Sequence, residues 1–155
     1  MKIQVLAMGT KMPSWVQEGC EEYRKRLPKE FALTVKELPL GSRAKTTSTA
    51  SVIAAESEKL LASVPTGFQT VVLDKSGSAW STEQLADNIQ NWQMQGRSLA
   101  LLIGGPNGLS GGCLRAADKV WSLSQLTLPH PLVRIVILEQ IYRAWSVLNN
   151  HPYHK

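Results

Sequence analysis

Leu99-Ala100-Leu101-Leu102-Ile103-Gly104-Gly105-Pro106-Asn107-Gly108 is a five-residue apolar run that feeds directly into a glycine-rich loop. An uninterrupted aliphatic run of this length reads as a strand from the middle of a parallel sheet, where both faces are buried. In an open α/β sheet, ligands bind outside the carboxyl ends of the strands, and this loop lies at such an end. Its glycines let backbone groups approach a ligand without a side chain in the way. Two familiar fingerprints fail on spacing. No choice among Gly104, Gly105, Gly108, Gly111 and Gly112 gives glycines at i, i+2 and i+5, and no Gly-Lys-Ser/Thr follows. A dinucleotide site of the Rossmann type and a P-loop are therefore disfavoured. A ligand loop and a plain tight turn both stay open.

Upstream, the pattern alternates. Lys2 to Met8 reads as a strand ending at Gly9. Pro13 and Ser14 open a helix, with Gln17 three residues after Ser14 in capping-box spacing; it runs through Arg24-Lys25-Arg26 and stops before Pro28. Phe31 to Leu38 alternates as a second strand. Residues 39–51 are a hydroxyl-rich loop carrying Arg43 and Lys45, read either as linker or as a contact to RNA phosphate. Ala50 to Ser63 reads as a helix and Gln69 to Lys75 as a strand. A third helix starts at Ser81, with Gln84 at the box position, and ends at Gly96. After the glycine-rich loop come a short helix near 111–119, a short strand from Val120 to Ser124 and a long last helix. The order implies an α/β fold, a mostly parallel sheet flanked by helices, in a single domain over 1–155.

The bulk numbers agree. Of 155 residues, 43% are hydrophobic, enough for a core. A net charge of +5 points modestly toward polyanions. Cys20 and Cys113 are far apart and have no metal-ligand partner at finger-like spacing, so two reduced thiols are expected. Met1 to Leu6 has no leader-like pattern, and no stretch reaches a membrane span. A soluble cytoplasmic protein is expected.

Downstream, Leu123-Ser124-Gln125-Leu126-Thr127-Leu128 leads into Pro129-His130-Pro131, which is extended and stiff. Such a run can present backbone donors and acceptors to a flat ligand, or simply join strand to helix. The helix from Leu132 to Leu148 has one narrow polar stripe, Glu139, Arg143 and Ser146, with Glu139 and Arg143 spaced to pair. A helix apolar on its other sides needs more than a sheet to cover it, which favours a homodimer packed through it. The tail, Asn149-Asn150-His151-Pro152-Tyr153-His154-Lys155, is rich in side chains able to carry protons or stack on bases. His151 and His154 lie beyond the helix without a third ligand, so no metal is expected.

The stretches LLIGGPNGLS, WSLSQLTLPHPLVRIVILEQIYRAW and NHPYHK, with KMPSWV near the start, closely resemble the RlmH family across essentially the whole length. These are SPOUT-class methyltransferases of a pseudouridine in large-subunit ribosomal RNA. The resemblance implies a SPOUT-type fold with a deep trefoil knot in the C-terminal half, against the general rule that chains do not thread loops. It also implies S-adenosyl-L-methionine as cofactor, a homodimer, and methyl transfer to N3 of a pseudouridine in helix 69 of 23S ribosomal RNA. Carried over by position, the cofactor contacts are Leu73, Gly104, Leu123, Ser124, Gln125, Leu126, Thr127 and Leu128; Gly105 is added from the loop. N3 of a uracil-type base carries a proton and is a poor nucleophile until it leaves. Arg143 is the candidate to stabilise the resulting anion or to grip phosphate, and Tyr153 or His154 the candidate base or orienting group, with His130 third. A chain this small has little RNA-binding surface, so the substrate is expected within an assembled ribosomal particle, read partly through Arg24, Lys25, Arg26, Arg43 and Lys45. Two competitors remain: a non-catalytic RNA- or ribosome-binding module of the same fold, and a small-molecule enzyme binding phosphate at the glycine-rich loop.

Overall fold

The computed structural model describes every residue of the chain except Arg43 and Lys45, so the reading of those two as an RNA contact lies outside the described residues. Among the described residues, five strands and five helices alternate: β1 (Lys2–Met8), α1 (Ser14–Arg24), β2 (Ala32–Leu38), α2 (Thr49–Ala62), β3 (Gln69–Ala79), α3 (Thr82–Met94), β4 (Leu99–Ile103), α4 (Gly111–Ala116), β5 (Lys119–Ser122) and α5 (His130–Leu148). The strands form one sheet in the order β2-β1-β4-β3-β5, and every pairing is parallel. All five residues of β4 are buried because it lies at the centre of the sheet and is covered on both faces.

Period-two alternation divides these side chains between two cores. Ile3, Val5, Val71, Leu99 and Leu101 pack with Leu85 and Ile89 of α3 and with Ile137, Leu138 and Ile141 of α5. Leu6, Met8, Val72, Ala100 and Leu102 face the other way, against Leu60 of α2 and Cys113 of α4. On the first face α5 lies in contact with both α1 and α3.

The sheet and these two helices bury Ile137, Leu138, Ile141 and Ala144 of α5, while Leu132 stays 40% exposed and Ile135, Val136 and Trp145 are half-buried. The polar stripe is not a solvent stripe. Ser146 is fully buried, its hydroxyl donating to the Arg143 carbonyl at 2.6 Å. Arg134, in the first half of α5, is only 3% exposed.

Three local expectations also shift. Pro13, extended at φ −53° and ψ 152°, takes the N-cap of α1, so the Ser14 hydroxyl comes one residue too late to cap; the Gln17 amide instead donates to the Met12 carbonyl at 2.8 Å. The same helix ends at Arg24 rather than Arg26. Strand β3 continues past Lys75 to Ala79 through an irregularity between Leu73 and Ser78, where the Asp74 carboxylate accepts from the Ser76 amide at 2.9 Å. The capping box of α3 forms as read, with Gln84 N donating to Ser81 Oγ at 3.1 Å and Ser81 N to Gln84 Oε1 at 2.8 Å. Among the described residues, no helix is long and apolar enough to cross a membrane.

Candidate functional site

The carboxyl ends of β3, β4 and β5 open into a cavity of about 780 Å³. Three segments wall it: Leu73 to Lys75 after the regular part of β3, Ile103 to Leu109 after β4, and Ser122 to His130 after β5. All nine residues named as cofactor contacts from the sequence line it: Leu73, Gly104, Gly105, Leu123, Ser124, Gln125, Leu126, Thr127 and Leu128. So do Asp74, Lys75, Leu114 and Val133, which were not named.

The glycine-rich loop is a tight turn that also walls the cavity. Gly105 to Gly108 closes by a Gly108 N–H to Gly105 carbonyl bond at 3.0 Å, with Pro106 and Asn107 at the corners and Gly108 at φ +81°. Gly104 must lack a side chain for the turn to fold back. A Cβ there would lie 2.8 Å from Leu109 Cγ and 3.3 Å from the backbone of Gly108. The wall opposite is different in kind. Among the described residues, 124–128 make no backbone–backbone hydrogen bonds. Local side chains meet two groups only: Leu126 N–H donates to Ser124 Oγ at 2.9 Å, and Ser122 Oγ to the Ser124 carbonyl at 3.3 Å. Irregular backbone of this kind, bent at Gln125 and Leu126, leaves N–H and C=O groups in want of partners.

His130 closes the back of the cavity. Its Nε2 accepts from Arg134 Nε at 2.8 Å, and its Nδ1 lies 3.0 Å from the Gly104 carbonyl. Nε2 therefore carries no proton, and Nδ1–H donates to Gly104. Burial, followed by the neighbouring Arg134 charge, holds its pKa below the usual histidine value. Both ring nitrogens are committed, so His130 is not a free base in this arrangement. Arg134 goes on to donate through Nη1 to the Glu37 carboxylate and through Nη2 to the Gly9 carbonyl at 2.7 Å. Sequence reading missed Arg134 and Glu37. The available signal was the i, i+4 spacing of His130 and Arg134.

A second polar cluster forms where the tail folds back on the C-terminal half of α5. Arg143 pairs with Glu139, Nη2 to Oε1 at 2.6 Å, and its Nη1 lies 3.3 Å from His154 Nδ1. The Tyr153 hydroxyl donates to the same Glu139 oxygen at 3.0 Å, and the Arg143 guanidinium sits 4.7 Å from the centre of the Tyr153 ring. His154 Nε2 faces Glu83 of α3 at 3.2 Å. Loss of solvent and then the Glu139 bond push the Tyr153 hydroxyl up to about 12, so at neutral pH it keeps its proton. Glu139 likewise raises Arg143 above its already high value. Tyr153 also packs on Tyr142, which contacts Trp145 and His151, so the tail is fixed by an aromatic cluster.

Arg143, Tyr153 and His154 are thus brought together, but not to the cavity. Arg143 lies ten residues along α5 from Val133, or about 15 Å at 1.5 Å per residue. Within one chain the two halves of the expected site occupy opposite ends of α5. Arg24 and Arg26 pair with Glu21 and Glu22 of α1, and Arg26 also lies 6.0 Å from the centre of the Tyr153 ring, beside the tail cluster. Among the described residues, no group of three potential ligands could hold a metal ion.

A ligand-sized cavity at the carboxyl ends of parallel strands, with a glycine turn on one wall and largely unpaired backbone on the other, defines an α/β ligand-binding domain of the kind that hosts an enzyme site. Known proteins give this class its particular form. A family model described as "Predicted SPOUT methyltransferase" matches residues 1–154. A protein of Saccharophagus degradans named ribosomal RNA large subunit methyltransferase H is 53% identical over 155 residues, covering all of both chains. One of the same name from a Marinomonas species is 49% identical over the same span. Two solved structures share the fold at low identity. One, a methylase family protein from Neisseria gonorrhoeae, has TM-score 0.54 at 13% identity, covering 91% of this chain and 81% of its own. The other, from Haemophilus influenzae, has TM-score 0.60 at 11% identity, covering 99% and 70%. The chain belongs to the SPOUT methyltransferases, and within them to the RlmH family that its sequence resembles. Its chemistry needs a methyl donor.

Proposed function

We propose that this chain methylates N3 of a pseudouridine in large-subunit ribosomal RNA, the helix 69 site of the 23S molecule, using S-adenosyl-L-methionine. It works as a cytoplasmic homodimer on assembled ribosomal particles. The observation that carries the proposal is the cavity, set in a chain 53% identical over its whole length to a protein named ribosomal RNA large subunit methyltransferase H.

The residues present fit the cofactor. A volume of about 780 Å³ suits a ligand of nucleoside-plus-side-chain size. Leu73, Leu123, Leu128 and Val133 offer apolar surface to a flat base, and the free backbone groups of 124–128 offer donors and acceptors to its polar edge. When bound, S-adenosyl-L-methionine supplies an activated methyl group. A deep trefoil knot in the C-terminal half accords with the topology, since β5 pairs with β3 beyond β4 and the chain then returns past the Gly104 turn to start α5.

The chain's own residues handle the proton. His154 takes the N3 proton on Nδ1 once Arg143 Nη1 leaves that nitrogen for the anion forming on the base, an electrostatic role for Arg143 worth roughly 3 kcal/mol or more in a dry site. Tyr153, protonated and bonded to Glu139, orients the cluster. Because this cluster lies about 15 Å from the cavity of its own chain, it serves the cavity of a second subunit. The homodimer is then a catalytic requirement.

The test is complementation. A chain with Gly104 replaced by a bulky residue should bind no donor, and a chain with Arg143→Ala should bind it without transferring methyl. Mixed dimers should recover activity, since one composite site keeps both halves. Two inactive parents that stay inactive when co-folded would refute a site shared between subunits. Titration with S-adenosyl-L-methionine and with ATP separates this reading from a phosphate-binding enzyme and from a binding module without a cofactor.

A further inference from the structure

We propose that Arg134 is a positioning residue for the methyl-donor cavity, acting through His130 on the Gly104 turn and anchored on the ends of β1 and β2. This rests on the reading of the cavity as the donor site.

Arg134 is nearly fully buried and its bonds run in defined directions. Nε donates to His130 Nε2, Nη1 to Glu37 at the end of β2, and Nη2 to the Gly9 carbonyl just beyond β1, with Met8 O more distant at 3.4 Å. A planar guanidinium holds three such partners at fixed angles, which the single ammonium of a lysine cannot do. The bond to His130 fixes the ring's tautomer. With Nε2 used as acceptor, Nδ1 must carry the hydrogen, and that hydrogen meets the Gly104 carbonyl. The first residue of the glycine turn is thereby clamped to the start of α5. The turn has little of its own to hold it in place: one internal bond and the Gly105–Gly108 bridge.

The same guanidinium also borders a second cavity of about 480 Å³ between α1, β2 and α5, whose lining includes Glu37 and Cys20. Arg134 therefore links His130, which lines the donor cavity, to the α1 side of the molecule. Its charge is balanced by Glu37, so the pair is neutral as a unit, with the guanidinium buried and the carboxylate partly exposed.

The experiment uses the full chain. Arg134→Lys keeps the charge and loses the geometry. The donor KM should rise about ten-fold, the effect of one lost buried hydrogen bond, while kcat at saturating donor stays within about two-fold. In ring ¹⁵N spectra, His130 should show the Nδ1–H form in the parent and lose that single pattern in the variant, and the amides of Gly104, Gly105 and Gly108 should shift. His130→Asn, which can place an N–H near Nδ1, should bind donor more tightly than His130→Gln, which places its amide near Nε2. A folded Arg134→Lys variant with the parent donor KM and ring pattern overturns the proposal. So does equal donor affinity in the Asn and Gln variants, and that pair decides the matter if Arg134→Lys does not fold. Should the parent bind no S-adenosyl-L-methionine, the donor reading fails, while ring pattern and turn amides still report on the clamp.

Discussion

Replacing Gly104 by alanine should separate donor binding from folding. The added methyl would meet Leu109 Cγ at 2.8 Å, Leu109 Cδ2 at 3.0 Å and the Gly108 carbonyl carbon at 3.3 Å, where relaxed carbon pairs sit at about 3.5–4.0 Å. Leu109 can rotate only in part, because it packs against the core on the α2 side of the sheet. Gly108 is backbone and can yield only if the turn shifts. Overpacking of this kind costs about 1–3 kcal/mol, and the stiffer unfolded chain returns about 0.4–1 kcal/mol. A net loss of about 1–2 kcal/mol lowers Tm by roughly 2–8 °C in a chain of this size. The shifted turn also carries the Gly104 carbonyl away from His130, so the Kd for S-adenosyl-L-methionine should rise about ten-fold. Gly67→Ala is the matched control. Gly67 has φ +84° and nothing within 4 Å of the place an added methyl would take, and it precedes β3, at the end of the sheet away from the cavity. It should lose about 1–2 kcal/mol through left-handed strain alone, with donor affinity unchanged. Thermal melts and calorimetric titration read both. A folded Gly104→Ala chain with the parent Kd, or an equal loss of affinity in Gly67→Ala, would refute the reasoning.

Arg143→Ala should leave donor Kd within about two-fold and lower single-turnover methyl transfer about a hundred-fold or more, because the residue lies at the far end of α5 from its own chain's cavity. In Tyr153→Phe, the pH–rate profile between about pH 6 and 9 should keep its shape, since a hydroxyl pushed up to about 12 does not titrate there; a lost limb would make Tyr153 the base. His130, facing Arg134, Glu37 and the Gly104 carbonyl, has its pKa lowered from 6.5. The unfolded chain therefore takes up the proton first, and the stability held above about pH 6.5 drains away as pH falls through the folded value. Urea midpoints against pH should show that slope, and His130→Asn should flatten it. Ser81→Ala should remove the hydroxyl half of the α3 capping box, costing about 1 kcal/mol and roughly 2–4 °C in Tm, with donor binding unchanged.

What could be read from the chain alone depended on how local each cause was. The run from Leu99 to Ile103 announced a central strand because burial on both faces leaves no polar position. The Ser81 and Gln84 box was legible because both partners lie within one turn, whereas the same spacing at Ser14 misled because Pro13 took the cap. Strand β3 was cut short at Lys75 because Ser76-Gly77-Ser78 reads as loop, although β5 pairs with it there. The apolar surface of α5 read as needing cover, but nothing local reveals that α1 and α3 supply part of it. Buried polar side chains were hidden for the same reason. Ser57 of α2 is buried to accept the Ser110 amide at 2.8 Å, and Arg134 to join segments 97 and 125 residues away. The residues expected to contact the cofactor came from the family resemblance, and all of them line one cavity. The cluster of Arg143, Tyr153 and His154 was legible as a set of residue types, but the way the tail is held at the far end of α5 follows from the aromatic packing of Tyr142, Tyr153 and His151, which no local pattern encodes.

The most direct test of the central claim is transfer of a labelled methyl group from S-adenosyl-L-methionine to ribosomal particles, followed by mapping of the modified nucleotide. The account predicts label on N3 of a single pseudouridine in large-subunit RNA, lost with Gly104 blocked and with Arg143→Ala. Label on another base, or none transferred by a chain that binds the donor, would contradict it.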